Sequence, residues 1–358
     1  MKTGKSLTEL AAEVERQAKS KRDFVVNSTA VTLADDGKSL GFGANEMGVT
    51  DICHAQIGTQ LGIPKAYYDR MRAEQPMLLA SNVNTWLRQT PTRRMVRTLD
   101  GNARAWLSDR YRPLDNYDVL SAILPVVQAC QLQIQSCEIT ERSMYLKAVD
   151  VQRVKVVRRE GAYDGGRHAQ VETFQPGVVI GNSEIGLSSF YLSPGIHKVE
   201  CTNLAVFKND GIAKYHIGGR ANGEGDISEY LSDETRRAED LTFWLKVRDM
   251  LKACLAGELF DKLVAQIEAA GQDRIESKVE DVMEVTAGRF GLNEGEREGV
   301  LEALARGADF TRLGLANAVT RFSQTVADYD RATELERVGG QVIELPRNEW
   351  QRLAKAVA

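Results

Sequence analysis

The spacing of apolar residues changes once along this chain, near Asp226, and that change constrains the fold more than any other feature. Before it, apolar residues alternate with polar ones in short runs, the period of a half-buried strand. After it, Ala238, Leu241, Leu245, Met250 and Leu251 follow helical spacing, and breaks fall near Gly257, Gly271, Gly291, Gly307 and Gly339. Asp226 and Glu229 are placed like a capping box at the start of that texture. The pattern predicts an α+β protein. A mixed, largely antiparallel sheet domain with flanking helices is expected over 1–220, and a mainly helical C-terminal region over 221–358. Gln341–Leu345 (QVIEL) is the one stretch of that region expected to form a stray strand.

Within the first part, Leu7, Leu10, Ala11 and Val14 mark an amphipathic helix over 6–20. Residues 24–33 read as a strand, and Asp36-Gly37 as a turn into Ser39–Phe42. Thr50 can cap a helix over 51–61, which Gly62 ends, and Pro64 opens a second one. Helix, tight turn, helix is the outline of a DNA-reading motif and, more commonly, of a plain αα-corner. Residues 92–107 read as a hairpin around Asp100-Gly101, with Arg104 and Trp106 on one face and Ala103, Ala105 and Leu107 on the other. Asn116 opens a further helix bearing Val119, Leu120, Ile123 and Val127. Strand-like runs follow within 132–159 and at 169–180, 187–192, 198–207 and 212–217, with a glycine-rich loop over 161–168.

Composition limits the class of protein. With 43% hydrophobic and 27% charged residues, the 358-residue chain matches an ordinary globular protein able to bury a core without staples. No apolar run approaches the roughly 20 residues of a membrane span, and the N-terminal stretch lacks an apolar signal core. Five widely spaced cysteines do not form a disulfide framework, so a cytoplasmic protein is expected. His197, Cys201 and His216 are the nearest approach to a ligand cluster, but their spacing matches no zinc motif, and no metal or cofactor is expected. Phosphate-loop, dinucleotide, nucleophile-elbow and zincin signatures are all missing. The pairs Gly165-Gly166 and Gly218-Gly219 read as turns, since neither leads directly into a helix N-terminus. His197 and Cys201 on one strand lie about 13 Å apart, too far for a nucleophile–base pair.

What the chain does offer is arginine interleaved with aromatics. Residues 86–117 hold Arg88, Arg93, Arg94, Arg97, Arg104, Arg110 and Arg112 with Trp86, Trp106, Tyr111 and Tyr117. A second patch holds Arg153, Lys155, Arg158, Arg159 and Arg167 with Tyr163. Guanidinium groups suit phosphate and aromatic rings suit unpaired bases, so a sheet face bearing both patches on one side is expected to hold single-stranded nucleic acid. A solvated sheet face with its tryptophan in the core is the competing reading. Charge is uneven. Residues 1–220 contain 28 Lys and Arg against 23 Asp and Glu, and residues 221–358 contain 18 against 27. An asymmetry of this kind fits a nucleic-acid-facing part followed by a solvated or partner-facing part.

Three runs carry a resemblance: HAQIGTQLGIPKAYYDRM, ARAWLSDRYRPLDNYDVL and NSEIGLSSFYLSPGIHKVECTNLAVF. They resemble a phage/plasmid-like protein family of unknown function that includes the YafZ and YfjQ prophage proteins, over approximately residues 45–220. The resemblance supplies no catalytic residues. It implies a mobile-element context and raises DNA metabolism as the expectation: a single-stranded-DNA-binding or recombination/annealing accessory protein, non-catalytic, and a homo-oligomer if it assembles as annealing rings do. Two other classes stay open. One is an interaction module modulating host defence or replication, and the other a nuclease-like enzyme with a dispersed site.

Overall fold

The computed structural model describes residues 1–159, 170–200, 203–207, 212–214 and 232–356. The first sheet comprises β1 (Arg22–Asn27), β2 (Val31–Leu33), β3 (Ser39–Phe42), β4 (Asn45–Val49), β5 (Arg93–Leu99) and β6 (Asn102–Ser108), in the order β1-β5-β6-β4-β3-β2. Only β4 and β6 run parallel. Helices α2 (Asp51–Gln60), α3 (Lys65–Glu74) and α4 (Pro76–Gln89) supply Ile57, Tyr68, Leu79 and Val83 to the core on one of its faces. The second sheet comprises β7 (Gln133–Ile139), β8 (Met144–Val149), β9 (Lys155–Arg159), β10 (Gln170–Asn182), β11 (Phe190–Lys198), β12 (Asn203–Val206) and β13 (Ile212–Lys214). Its path is β12-β11-β10-β8-β7, with β9 added to β10 and β13 to β11, all antiparallel.

Local chemistry explains most of these elements. Ser6 and Glu9 form a capping box on α1 (Leu7–Ser20). Asp100 and Gly101 both take positive φ, the geometry of the tight hairpin turn that their sequence favours. The expected strand over 24–33 is corrected. A 3₁₀ turn at Ser28–Ala30 splits it, and the halves become β1 and β2 at opposite edges of the first sheet. Asn27 accepts from the Thr29 amide, and the Ser28 hydroxyl donates to Leu87 and Thr90 carbonyls, so polar side chains hold the break. The separate runs 187–192 and 198–207 are also corrected: β11 continues through Pro194 and Gly195. Pro194 is tolerated because β13 pairs with β11 at 190–192 and β12 at 195–198, leaving residue 194 between the two ladders.

The second sheet is covered on both faces. All six residues of β8 are buried. Met144, Leu146 and Ala148 share a core with α1, α5 (Asn116–Ala129) and α6 (Asp233–Cys254), while Tyr145 packs on the opposite face beside Tyr329 of α11 (Tyr329–Glu344). Lys147 on that second face places its Nζ 2.6 Å from Glu336 Oε2 of α11, and both side chains are fully buried. The remaining helices are α7 (Gly257–Ala270), α8 (Val279–Phe290), α9 (Glu294–Gly307), α10 (Arg312–Ser323) and α12 (Arg347–Ala354). They close a core that includes Phe174 and Ile196 from the second sheet and Phe207 just after β12. Residues 232–356 are therefore helical as expected, but they complete the core of the preceding part. The boundary at 220 marks a change of texture between two parts that share this core. None of the described helices is long and apolar enough to cross a membrane.

The expected strand at Gln341–Leu345 is instead the end of α11. Arg312 donates from Nε to the Val342 carbonyl at 2.8 Å and from Nη2 to the Ile343 and Leu345 carbonyls, satisfying acceptors that a helix end leaves open. Gly339 is likewise not a break. A Cβ on Gly339 would lie 2.3 Å from Thr320 Cγ2, and one on Gly340 2.0 Å from the Val206 carbonyl oxygen, so glycine lets α11 approach α10 and β12. Gly340→Ala is accordingly expected to cost about 1–3 kcal/mol in urea unfolding. Gly288→Ala, on α8 where a Cβ meets nothing within 4 Å, should add about 0.5–1 kcal/mol. Equal effects at the two positions would contradict this packing.

Candidate nucleic-acid interface

The site is built where the two sheets meet. Between Arg97↔Ala105 and Thr98↔Ala103 the β5–β6 register shifts, leaving Arg104 as the extra residue of a bulge. This corrects the expected facing of the return strand. Ala103 and Trp106 share the core beneath α2, whereas Arg104 turns to the face of Arg97, and both arginines reach Glu184.

Residues 182–186, from the last residue of β10 onward, form the junction. Asn182 donates from Nδ2 to the Leu114 carbonyl and to Asn116 Oδ1. Ser183 donates to the Arg142 carbonyl at 2.7 Å and accepts from the Tyr111 hydroxyl. Glu184 ion-pairs with Arg104, accepts the Asn116 amide at 2.6 Å, and gives its carbonyl to Arg97 Nη1 at 2.8 Å. The Ile185 carbonyl accepts from Gln56 Nε2 at 2.8 Å. Gly186 takes φ +73°, and a Cβ there would lie 2.8 Å from Leu107 Cδ2. Consecutive residues thus hook into different elements, so this loop is fixed against β6, α5 and α2.

Helix α2 forms the other wall. Gln56 and Gln60 lie four residues apart and so on one helix face. Gln56 Oε1 accepts the Trp106 backbone amide at 2.7 Å, and Gln60 Oε1 accepts the Trp106 indole N–H. Gln60 Nε2 reaches Thr92 Oγ1, as does Arg94 Nε at 3.3 Å. Between the walls runs an open groove of about 690 Å³, lined by Ile52, Ala55, Leu107 and Leu187 with Gln56, Gln60, Lys65, Ser108 and Arg142 among its polar residues. The corner α2–α3 packs on β6, with the Tyr68 ring directly over Gly58. Lys65, Arg70 and Arg72 pair with Asp69, Glu74 and Asp51. It is an αα-corner forming one wall of the groove.

The arginines read from sequence separate into two kinds. Arg97 is fully buried, with Nε 2.9 Å from Asp23 and Nη2 2.7 Å from Asp115. These carboxylates raise its pKa against the burial that opposes its charge. Burial works against the Asp115 carboxylate as well, but Arg97 and Lys21 hold it below its usual range. Arg104 is mostly buried on Glu184, and Trp106 is 3% exposed. Arg97, Arg104 and Trp106 are therefore corrected as nucleic-acid contacts: they join the sheets. Arg112 pairs with Glu239, Lys155 with Asp261, and Arg153 donates to the Leu255 carbonyl, so these three fasten the C-terminal helices. Arg93 and Arg110 are exposed, Arg94 is half-buried on the α2 face, and Arg158 is exposed on β9. Arg159 ends β9, and Arg167 lies outside the described residues, as do Cys201, both glycine pairs, the 161–168 loop and the Asp226–Glu229 capping box.

The two patches do not form one surface. The first belongs to the six-stranded sheet and the second to β9 of the other. Lys155 pairs with Phe174, eight residues along β10 from Asn182 at the junction, or about 26 Å. Sequence reasoning missed Gln56, Gln60, Arg142, Gly186 and Leu187 as groove residues. The spacing of the two glutamines on one helix was the available signal. Among the described residues, no three His, Cys, Asp or Glu side chains gather as metal ligands. No protein-family model, curated protein or solved structure matches the chain.

Two buried histidines give the fold a pH dependence. His54 sits 2.9 Å from the Tyr68 hydroxyl and His197 3.2 Å from Gln175 Oε1, and burial lowers the pKa of each to about 4. The unfolded chain takes up these protons near the ordinary value of 6.5, while the folded chain refuses them until about 4. Stability is expected to be complete above pH 6.5 and to fall between 6.5 and 4, by at most about 1.4 kcal/mol per pH unit for each histidine. Melting temperatures at pH 7.5 and 5 measure this. His197→Gln should shrink the difference, and a chain equally stable at both pH values would refute the assignment.

Proposed function

We propose that this chain is a non-catalytic, single-stranded-DNA-binding accessory protein of a mobile element, acting in recombination or annealing, with the strand lying in the groove beside α2. The observation that carries the reading is a convergence. The three sequence runs that resemble the phage/plasmid-like family supply Gln56, Gln60, Leu107, Ser108, Gly186 and Leu187 to the same groove. Lys65, Arg94 and Arg142 stand around it as cations, with Arg110 next to Ser108. Among the described residues no carboxylate pairs with Arg94, Arg110 or Arg142. The pair that Lys65 makes with Asp69 is an exposed i,i+4 contact that a phosphate can displace. A polyanion gains from such a rim by releasing counterions, and the chain's net charge of −4 does not prevent it, because attraction follows the local field.

Binding of a fluorescent oligonucleotide is expected at about 50 mM salt and should weaken steeply as salt rises. Changing Arg94, Arg110 and Arg142 together to Ala should flatten the log–log salt slope by about 2, at roughly 0.7 per phosphate contact on a single strand. Deleting residues 221–358 is not a usable control, because α7–α12 complete the core over Phe174 and Ile196. A folded protein that ignores DNA at low salt would discard this reading and favour the protein-partner role.

A further inference from the structure

Resting on the single-strand reading above, we infer that the groove binds without regard to base sequence, because the amides that could read a base edge are already used within the fold. Side-chain recognition of a base works through paired donors and acceptors, above all an Asn or Gln amide offering its oxygen and nitrogen together. Gln56 and Gln60 are the amide side chains lining the groove. Each has both ends engaged. Gln56 holds the Trp106 amide with Oε1 and the Ile185 carbonyl with Nε2, and Gln60 holds the Trp106 indole with Oε1 and Thr92 with Nε2. Freeing either amide would unpair Trp106, whose ring is core, and freeing Gln56 would also release the loop that forms the opposite wall.

The hydroxyls are similarly occupied. Thr59 donates to the Ala55 carbonyl at 2.8 Å, and Ser108 Oγ accepts the Arg110 amide and donates to Asp109 Oδ1 at 3.4 Å. Asp51, the acidic side chain of the lining, is committed to Arg72 at 2.8 Å. What stays available is of two kinds: cationic side chains at Lys65 and Arg142, and apolar surface from Ile52, Ala55, Leu107 and Leu187. Cation–phosphate pairing carries no sequence information, and apolar contact with base faces accepts every base. The ligand class is therefore any flexible single strand.

The test measures affinity for four fluorescent oligonucleotides of equal length at one low salt concentration: oligo(dT), oligo(dA), oligo(dC), and a mixed strand with guanine at every fourth position. The guanine strand is included because Arg142 and Lys65 line the groove and both can donate to guanine's Hoogsteen edge. All four are expected to bind with affinities within about threefold of one another, the residual spread following stacking and backbone stiffness. A preference of about tenfold or more for one base, the size that a bidentate contact produces, would overturn the inference while leaving the single-strand reading intact. Failure to bind any of the four would overturn both.

Discussion

Glu336→Leu is expected to lower unfolding stability by about 3–5 kcal/mol, the largest loss from any single change in the helical region. The substitution leaves the Lys147 ammonium buried with no counter-charge. That ammonium sits 4.6 Å from the centroid of the Tyr329 ring, which supplies some compensation, but far less than a carboxylate at 2.6 Å. Burial already lowers the Lys147 pKa while Glu336 pulls it up, so removing Glu336 leaves the desolvation unopposed. Lys147→Met should be nearly as harmful, because it strands Glu336, whose Oε1 has no hydrogen-bond partner among the described residues. The double variant Lys147→Met/Glu336→Leu replaces both charges by apolar groups of similar size and is expected to recover most of the loss. Urea unfolding of the four proteins of the cycle gives the coupling directly. A double variant no more stable than either single one would show that the ion pair is not the contact that seats α11 on β8.

The sequence made local structure legible and left long-range pairing hidden. The α1 helix, the Asp100-Gly101 turn and the Gly62–Pro64 corner depend on residues close together in the chain, and each stands as read. Residues 24–33 look like one strand because β-branched residues run through them. Their division follows from where β1 finds its partner, β5, some 70 residues on. Pro194 looks like a strand terminator, and it is accommodated because two short strands happen to flank it on β11. QVIEL has strand-like composition but lies in α11, where Gly339 and Gly340 bring the helix against α10 and β12 and Arg312 holds its last carbonyls. In each case tertiary contact overrode local preference.

The site was legible as composition only. Arginine interleaved with aromatics does mark the region where the sheets join, but composition cannot show which arginines have been claimed. The partners of Arg97 lie 74, 18 and 87 residues away in sequence. The bulge that turns Arg104 away from Trp106 is one residue long and has no glycine to announce it. Two of the aromatic rings that seemed available for stacking are also taken: Trp106 is core, and Tyr111 is buried with its hydroxyl on the Ser183 carbonyl, whereas Trp86 and Tyr117 are exposed.

Arg97→Met, by contrast with its neighbours, is expected to cost about 3–5 kcal/mol and to do so whether or not DNA is present. It removes the charge that Asp23 and Asp115 share and strands the Glu184 carbonyl in a buried junction. Loss of the Asp115 contact also loosens the start of α5, and loss of the Glu184 contact loosens the loop that forms a groove wall. Arg94→Ala, Arg110→Ala and Arg142→Ala, taken singly, should change stability by no more than about 0.5 kcal/mol, because among the described residues none of the three is in an ion pair and Arg94 makes only a 3.3 Å hydrogen bond to Thr92. On DNA the order reverses. Each of the three should weaken binding and reduce its salt slope, whereas Arg97→Met, assayed well below its own melting temperature, should lower affinity without changing the slope, because Arg97 faces no phosphate. Thermal melts and salt-dependent binding on the same four variants separate the two kinds of arginine. An Arg97→Met protein of near-normal stability whose salt slope falls by about 0.7 would return Arg97 to the nucleic-acid surface and remove the junction described here.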